Sequence, residues 1–320
     1  MTGARTRLAA VLVLAAVLVV LPFFAEKYYV QLAARILIMA IFAMSLDLLV
    51  GYAGLVSLGH AAFFGLAAYT LALLSPQYEG ANLWVSLPLA AGAAALAALA
   101  IGALALRTSG VYFIMVTLAF AQMLYFVFHD TKIAGGSDGV YIYVRPVADL
   151  FGWQPFSLEN FTHFYYLTLV LAVAVFVSLT VVLRSPFGRV IAGIRVNEQR
   201  MRSLGYATFR YKLVCFAIAG GLAGIAGYLA AAQHGNVNPD MMGWHLSGNG
   251  LMMVILGGMG TLVGPVLGAF AMLVLEIVFQ GATKHWQLLM GGFIVLVALF
   301  LPAGLIGLAS ARRRARGGGE

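Results

Sequence analysis

Residues 163–183 read HFYYLTLVLAVAVFVSLTVVL, a run that contains no Asp, Glu, Lys or Arg. A helix needs about 20 predominantly apolar residues to cross the hydrocarbon core of a bilayer, so this run predicts a transmembrane helix. Similar runs recur along the chain and predict further spans. These lie at about 8–25, 31–50, 54–75, 83–106, 110–128, 211–233, 247–265, 266–281 and 285–304.

The composition agrees with a membrane protein. Of 320 residues, 62% are hydrophobic and 9% are charged, whereas a soluble domain has about 25% charged residues. This excludes a soluble enzyme, a nucleic-acid-binding domain and a disordered chain. The predicted fold class is all-α, a polytopic membrane protein of about 8–10 transmembrane helices. One transmembrane domain would cover 1–310, followed by a basic tail at 311–320. The number of transmembrane helices is ambiguous at 247–281. Glycines interrupt this stretch, which could form two spans or a re-entrant pair.

Loop charges predict the topology. Arg5 and Arg7 precede the first run, which lacks a small-x-small cleavage site, so we interpret it as a membrane helix that starts in the cytoplasm. Six crossings then place 184–210 inside. This segment carries a single acid, Glu198, and several arginines, as the positive-inside rule requires. They are Arg184, Arg189, Arg195, Arg200, Arg202 and Arg210. We therefore expect a multi-pass protein of the bacterial cytoplasmic (inner) membrane with both termini cytoplasmic.

The segment 184–210 also predicts a short amphipathic helix. A turn at Pro186 and Gly188 follows the span, and Val190, Ile191 and Ile194 would share one face. Such a face could dock into a groove on another protein or lie on anionic lipid. The pattern leaves both possibilities open.

Polar residues within apolar runs are candidates for a solute path. Ser57 and His60 lie three apart, so a helix would place them on one face, for an interhelical hydrogen bond or a solute path. Asp47, near the cytoplasmic end of its span, is either a path-lining or capping carboxylate or an interfacial residue paired with a neighbouring amide. Glu276 and Arg35 are interpreted as interfacial, the arginine snorkelling to the surface.

Glycines in the apolar runs predict close helix packing. The stripes are Gly220 with Gly224, and Gly260 with Gly264 and Gly268. The glycine-broken segments Gly51-x-x-Gly54 and Gly257-x-x-Gly260 are also a weak sign of the paired interruptions found in pseudo-symmetric carriers.

No catalytic or metal-binding motif is present. There is no H-E-x-x-H and no phosphate-binding P-loop, and the six histidines lack metal-ligand spacing. We therefore predict no catalytic residue, no metal site and no cofactor in this chain. Work against a gradient would draw energy from an ion gradient or from a separate subunit.

Several separated blocks resemble the permease subunit of branched-chain amino acid ABC transporters of the LivM type, in that family's order. The blocks are Gly51–Thr70, Thr108–Phe120, Gly135–Gly139, Arg184–Gly205 and Val254–Gly268. The resemblance implies a heterodimer with a second related permease in the lipid bilayer, and two ABC ATPase subunits that hold ATP and Mg. It also implies a periplasmic or extracellular solute-binding protein and no nucleic acid.

The resemblance also implies roles for residues. It makes 184–205 the ATPase-coupling loop, although Arg200 and Met201 stand where alanines are common. The matching positions of this loop are Arg184, Pro186, Phe187, Gly188, Arg195, Glu198 and Gly205. Ser57, Gly59 and His60 belong to a signature near the translocation path, to which we add Asp47. The predicted topology, and not the resemblance, places an external loop where the binding protein would dock, and this loop comprises Gly135, Gly136, Ser137, Asp138 and Gly139.

The predicted function is the permease of an ATP-driven importer for branched-chain or related amino acids. Urea, short amides or aromatic acids are alternative solutes. A carrier driven by an ion gradient, with Asp47 and Glu276 as ion ligands, is the alternative mechanism. A membrane-embedded enzyme is disfavoured because no nucleophile–base pair is visible.

Overall fold

The structure, a computed structural model, describes residues 18–76, 79–131, 134–149, 156–300 and 304–307. Most of the first predicted span and the basic tail at 311–320 lie outside the described residues. The principal helices are α1 (Lys27–Asp47), α2 (His60–Leu74), α3 (Leu83–Ala105), α4 (Val111–Asp130), α5 (Phe161–Arg184), α6 (Pro186–Val196), α7 (Glu198–Ser203), α8 (Thr208–His234), α9 (Trp244–Gly257), α10 (Val263–Ala282) and α11 (Trp286–Phe300).

The helices confirm the all-α polytopic membrane fold. Within the described ranges, six helices are long and apolar enough to cross a membrane, counting α1 together with the π-helical segment Leu48–Ala53 that continues it. The others are α3, α4, α5, α8 and α10, while α2 and α11 are shorter apolar helices.

The predicted span at 54–75 is helical only from His60. Gly54 has a φ of 71°, the left-handed conformation that ends the π-helical segment. Residues 55–59 then run as non-helical chain. The prediction that Ser57 and His60 share a helix face is therefore wrong, because Ser57 precedes the helix.

Small residues hold the centre of the bundle together. An added Cβ at Gly220 would lie 2.4 Å from the Cβ of Ala98, and one at Gly224 would lie 2.6 Å from that of Ala94. These contacts confirm the glycine stripe on α8, which packs against α3 at close range.

The ambiguous stretch 247–281 forms a hairpin of α9 and α10. An added Cβ at Gly268 would lie 1.8 Å from the carbonyl oxygen of Met253, so the two backbones touch. Gly264 makes a similar contact, but Gly260 (φ 74°) lies in the turn rather than in the helical stripe. At 1.5 Å per residue, α9 covers about 21 Å and α10 about 30 Å, so a short helix packs on a full-length one.

Two short strands mark one end of the bundle. β1 (Val140–Tyr141) pairs antiparallel with β2 (Asn236–Val237), which follows α8. α5 extends for about 36 Å from this end, so α6 and α7 lie at the opposite end. We call these the strand end and the coupling end. The separation agrees with the expectation from the sequence that the loop Gly135–Gly139 and the segment 184–210 lie on opposite sides.

Candidate functional site

The two glycine-broken segments meet at the coupling end, at a contact we call the broken-helix junction (Asp47, Gly51, Arg195 and Gly260). The Asp47 side chain is fully buried, and its Oδ1 accepts a hydrogen bond of 2.8 Å from the backbone N–H of Gly260. Its Oδ2 has no hydrogen-bond partner among the described residues. Asp47 is thus paired with an amide, as one interpretation expected, but with an amide more than two hundred residues away.

Only glycine fits at position 51 of this junction. An added Cβ would lie 2.1 Å from Oδ1 of Asp47 and 2.4 Å from the backbone nitrogen of Gly260. The two interrupted segments therefore touch through their backbones. The weak sequence signal of paired interruptions corresponds to a contact in space.

Arg195 connects α6 to the same junction. Its Nη1 donates a hydrogen bond to the carbonyl oxygen of Gly51. An added Cβ at Gly260 would lie 3.4 Å from that nitrogen, so the guanidinium adjoins both interrupted segments. A residue of the predicted coupling loop thereby contacts the segments that interrupt the membrane helices.

His60 bridges α1 and α2 by an interhelical hydrogen bond, one of the two predicted alternatives. Its Nε2 lies 2.8 Å from Oγ of Ser45, and both side chains are fully buried. Ser45 donates its own proton to the carbonyl oxygen of Phe42 (2.7 Å), so His60 must donate from Nε2. Its Nδ1 has no partner among the described residues.

Ser57 and Gly59 have different neighbours from His60. Oγ of Ser57 accepts a hydrogen bond of 3.3 Å from the N–H of Gly59. An added Cβ at Gly59 would lie 2.3 Å from the carbonyl oxygen of Thr117, so α4 packs directly on this backbone. The four predicted path residues therefore line the interior around the interrupted segment, but they do not converge on one cluster.

The apolar face of α6 is buried inside this chain. Val190, Ile191 and Ile194 form that face, as predicted, and all three are buried against neighbouring elements. The suggestion that this face docks on another protein or on lipid is therefore wrong, because the face is already covered.

A tight corner positions α6 after the span that ends at Arg184. Pro186 occupies its first turn, and Oγ of Ser185 accepts a hydrogen bond of 3.4 Å from the N–H of Gly188. An added Cβ at Gly188 would lie 2.4 Å from the carbonyl oxygen of Leu183. Phe187 stacks on Tyr211 of α8 with ring centroids 5.6 Å apart.

Glu198 fastens α7 to α8. Its carboxylate accepts hydrogen bonds from Arg202 (2.7 Å), from Thr208 (3.0 Å) and from Lys212. Partial burial opposes its ionisation, but the hydrogen bonds from Lys212 and Arg202 prevail and hold the pKa of Glu198 below its ordinary value. The loop glutamate thus fixes the shape of the segment, and Gly205 (φ 88°) ends it.

The sequence reasoning missed three exposed apolar side chains on this segment, which we call the coupling ridge (Val196, Leu204 and Tyr206). They are 83%, 67% and 41% exposed. The sequence feature that could have identified them is their apolar character within a polar stretch of the chain.

The predicted external loop lies at the strand end. Gly135, Gly136 and Gly139 all have positive φ, and an added Cβ at Gly135 would lie 2.0 Å from the carbonyl oxygen of Gly139. Ser137 and Asp138 are exposed at the tip of this turn, which leads directly into β1. The turn therefore presents a short polar tip on a rigid base.

Two cavities complete the site. An inner cavity of about 500 Å³ at the coupling end is lined by Gly54, Thr108 and Arg195, among others. An outer cavity of about 300 Å³ at the strand end lies between α1, α8, α9 and α10, and Arg35 and Glu276 line it. Among the described residues, no group of three His, Cys, Asp or Glu could hold a metal ion.

Known proteins resemble the chain over nearly its whole length. Residues 28–299 match the family model described as the permease component of a branched-chain amino acid transport system. The high-affinity branched-chain amino acid transport system permease protein LivM of Escherichia coli K12 is 34% identical over an alignment of 332 residues, covering 97% of this chain and 77% of that protein. The LivM protein of Salmonella typhimurium is 34% identical over 319 residues, covering 93% and 74%.

A shorter similarity extends to another importer. The autoinducer 2 import system permease protein LsrC of Photorhabdus laumondii is 30% identical over 124 residues, covering 36% of this chain and 37% of that protein. No solved structure matches the chain.

Proposed function

The chain belongs to the branched-chain amino acid permease family, and we propose that it carries branched-chain or closely related amino acids across the inner membrane as one permease subunit of an ATP-driven ABC importer. It is a multi-pass membrane protein. ATP and Mg would be held by two separate ATPase subunits, with no cofactor in this chain. A second related permease would complete the pore, and a solute-binding protein would deliver the amino acid at the strand end. Both termini would lie in the cytoplasm.

The observation that carries this proposal is the hydrogen bond from Arg195 to Gly51. It joins α6 to the broken-helix junction, where Gly260 in turn bonds to Asp47. A displacement of α6 would therefore act on α1 and on the turn between α9 and α10 together. Packed interfaces of this kind switch between discrete arrangements rather than deform continuously, which is what alternating access needs.

The coupling ridge is the proposed contact with the ATPase. The apolar face of α6 is already covered, so a partner would engage the exposed side chains Val196, Leu204 and Tyr206. Binding of an ATPase at these side chains would remove their apolar surface from water. Glu198, bonded within the chain, would keep this surface in shape.

The structure disfavours Asp47 and Glu276 as ligands of one transported ion. Glu276 lies 3.8 Å from Arg35, and Asp47 is twelve residues further along α1 than Arg35. At 1.5 Å per residue, this places the two carboxylates about 18 Å apart along the helix axis. A carrier driven by an ion gradient would need a different pair of ligands.

Copurification of the assembled complex tests the proposal. The chain is expressed with its ATPases and second permease, and the ATPase retained is measured for the parent and for Leu204→Asp. We expect the charge to abolish retention without unfolding the chain, because Leu204 is exposed. Tyr143→Asp, an exposed site at the strand end, is the matched control and should retain the ATPase. Equal retention in both variants would contradict the role of the ridge.

Transport separates the two mechanisms. Proteoliposomes that contain the parent complex and the binding protein should take up leucine only with ATP inside. Uptake by this chain alone, driven by an ion gradient, would contradict the proposed function.

A further inference from the structure

We propose that the outer cavity is a binding site for one zwitterionic amino acid with an apolar side chain. This inference rests on the proposed function, and it names the solute class and the residues that would hold it. The cavity has about 300 Å³, at the lower end of the range for small-molecule sites. Such a volume suits one amino acid and excludes a peptide.

An ion pair without a hydrogen bond, Arg35 with Glu276, lines the cavity. Nη2 of Arg35 and Oε1 of Glu276 are 3.8 Å apart, which is beyond hydrogen-bonding distance. The guanidinium has a fork of donors that matches a carboxylate, and the carboxylate of Glu276 accepts a hydrogen bond only from Gln280 (3.2 Å) among the described residues. The α-carboxylate and α-ammonium of an amino acid would satisfy both groups together.

The amide of Gln233 is fixed in the wall of the cavity. Nε2 of Gln233 donates to the carbonyl oxygen of Gln31 at 2.8 Å, which fixes the amide. Its Oε1 is buried and has no hydrogen-bond partner among the described residues. Asp240 and His234 are the other titratable groups that line the cavity.

The remaining wall is apolar and adaptable. Ile38, Phe64, Met253 and Met272 line it. Methionine side chains are flexible and polarizable, so they accommodate apolar groups of different shape. The wall would therefore accept leucine, isoleucine or valine with little discrimination among them.

The cavity and the broken-helix junction share one hairpin. Met253 of α9 and Met272 of α10 line the cavity, and the turn of the same hairpin carries Gly260, which bonds to Asp47. A solute at the strand end and α6 at the coupling end would thus act on opposite ends of one packed unit.

Protection of a single cysteine from labelling tests the site in the assembled complex. Cys215 is the one cysteine in the sequence, so Cys215→Ser gives a background into which Asn249→Cys places a reporter in the cavity lining. A membrane-impermeant methanethiosulfonate is added with leucine, with 4-methylvalerate, which lacks the ammonium, or with 3-methylbutylamine, which lacks the carboxylate.

We expect leucine alone to slow labelling. A competing ligand lowers the rate by a factor of 1 + [L]/Kd, about threefold at twice the Kd. Arg35→Gln and Glu276→Gln should each abolish the protection while labelling without solute stays unchanged. Tyr143→Cys, exposed at the strand end, should react equally with and without leucine.

The outcomes separate this inference from the proposed function. If ATP-dependent leucine uptake occurs but leucine gives no protection, the cavity is not the site. Equal protection by all three compounds would also overturn the inference. Protection that persists in both Arg35→Gln and Glu276→Gln would do the same. Absence of ATP-dependent uptake together with loss of ATPase binding would instead contradict the proposed function.

Discussion

Replacing Gly51 with alanine should force the broken-helix junction apart. The added Cβ would lie 2.1 Å from Oδ1 of Asp47 and 2.4 Å from the backbone nitrogen of Gly260, distances that real Cβ atoms do not adopt. Either the two segments separate or the hydrogen bond from Gly260 to Asp47 breaks. Overpacking costs about 1–3 kcal/mol and an unsatisfied buried group about 1–3 kcal/mol more, so we expect a loss of about 2–6 kcal/mol.

The loss is measured as a lower unfolding temperature of the purified complex, followed by the fluorescence of its tryptophans. ATP-dependent leucine uptake in proteoliposomes gives the functional reading, and we expect it to fall in parallel. Both measurements use the complete complex, so a defect in assembly is detected as a smaller amount of ATPase in the purified complex.

Gly92→Ala is the matched control. Gly92 lies in α3, and an added Cβ there would meet nothing within 4 Å. This variant should be neutral or gain up to about 1 kcal/mol from helix propensity. If Gly51→Ala unfolds at the same temperature as Gly92→Ala and transports equally well, the reasoning about the junction is refuted.

The other predictions concern the coupling segment and the external turn. Arg195→Ala should keep the bound ATPase active but lower leucine uptake tenfold or more, because it removes a charge-assisted bond worth about 1.5–3 kcal/mol. Arg195→Lys is the control, and leucine uptake by Arg195→Ala within twofold of that control would contradict this prediction. Glu198→Gln should lower the unfolding temperature at pH 7. The hydrogen bonds from Lys212 and Arg202 hold the pKa of Glu198 below its ordinary value in the folded chain, so its stabilisation is present at neutral pH and is lost as the pH falls through that lowered pKa. The difference between parent and variant should therefore shrink in acid, and a difference that does not change as the pH is lowered would refute the assignment. Gly139→Ala should detach β1 from β2, because the residue has a φ of 75° and its Cβ would lie 2.1 Å from the carbonyl oxygen of Val237. Limited proteolysis measures this, and 134–149 should be cleaved faster than in the control Gly281→Ala, where an added Cβ meets nothing within 4 Å. Equal cleavage rates in the two variants would contradict the prediction.

Features that depend on local periodicity were predictable from the sequence. The apolar runs indicated the long helices, and the pattern of Val190, Ile191 and Ile194 indicated the buried face of α6. What covers that face was not predictable, because the pattern reports that a face is apolar and not which surface it meets. The covering surface comes from distant parts of the same chain.

Features that depend on distant contacts were not predictable. A helix was expected to include Ser57, but Gly54 adopts a left-handed conformation that ends the preceding π-helical segment, and α2 begins only at His60. Arg195 packs beside Gly54. The bond between Asp47 and Gly260 and the pairing of Arg35 with Glu276 join residues more than two hundred positions apart. No single-sequence pattern encodes such pairs, and the outer cavity exists only because the fold brings them together.

The burial of the α6 face within the chain has a consequence for biogenesis. A newly inserted subunit needs no partner to bury this face, because its own chain covers it. Its ATPase subunits would therefore meet an element that is already in place, with the coupling ridge still exposed for contact.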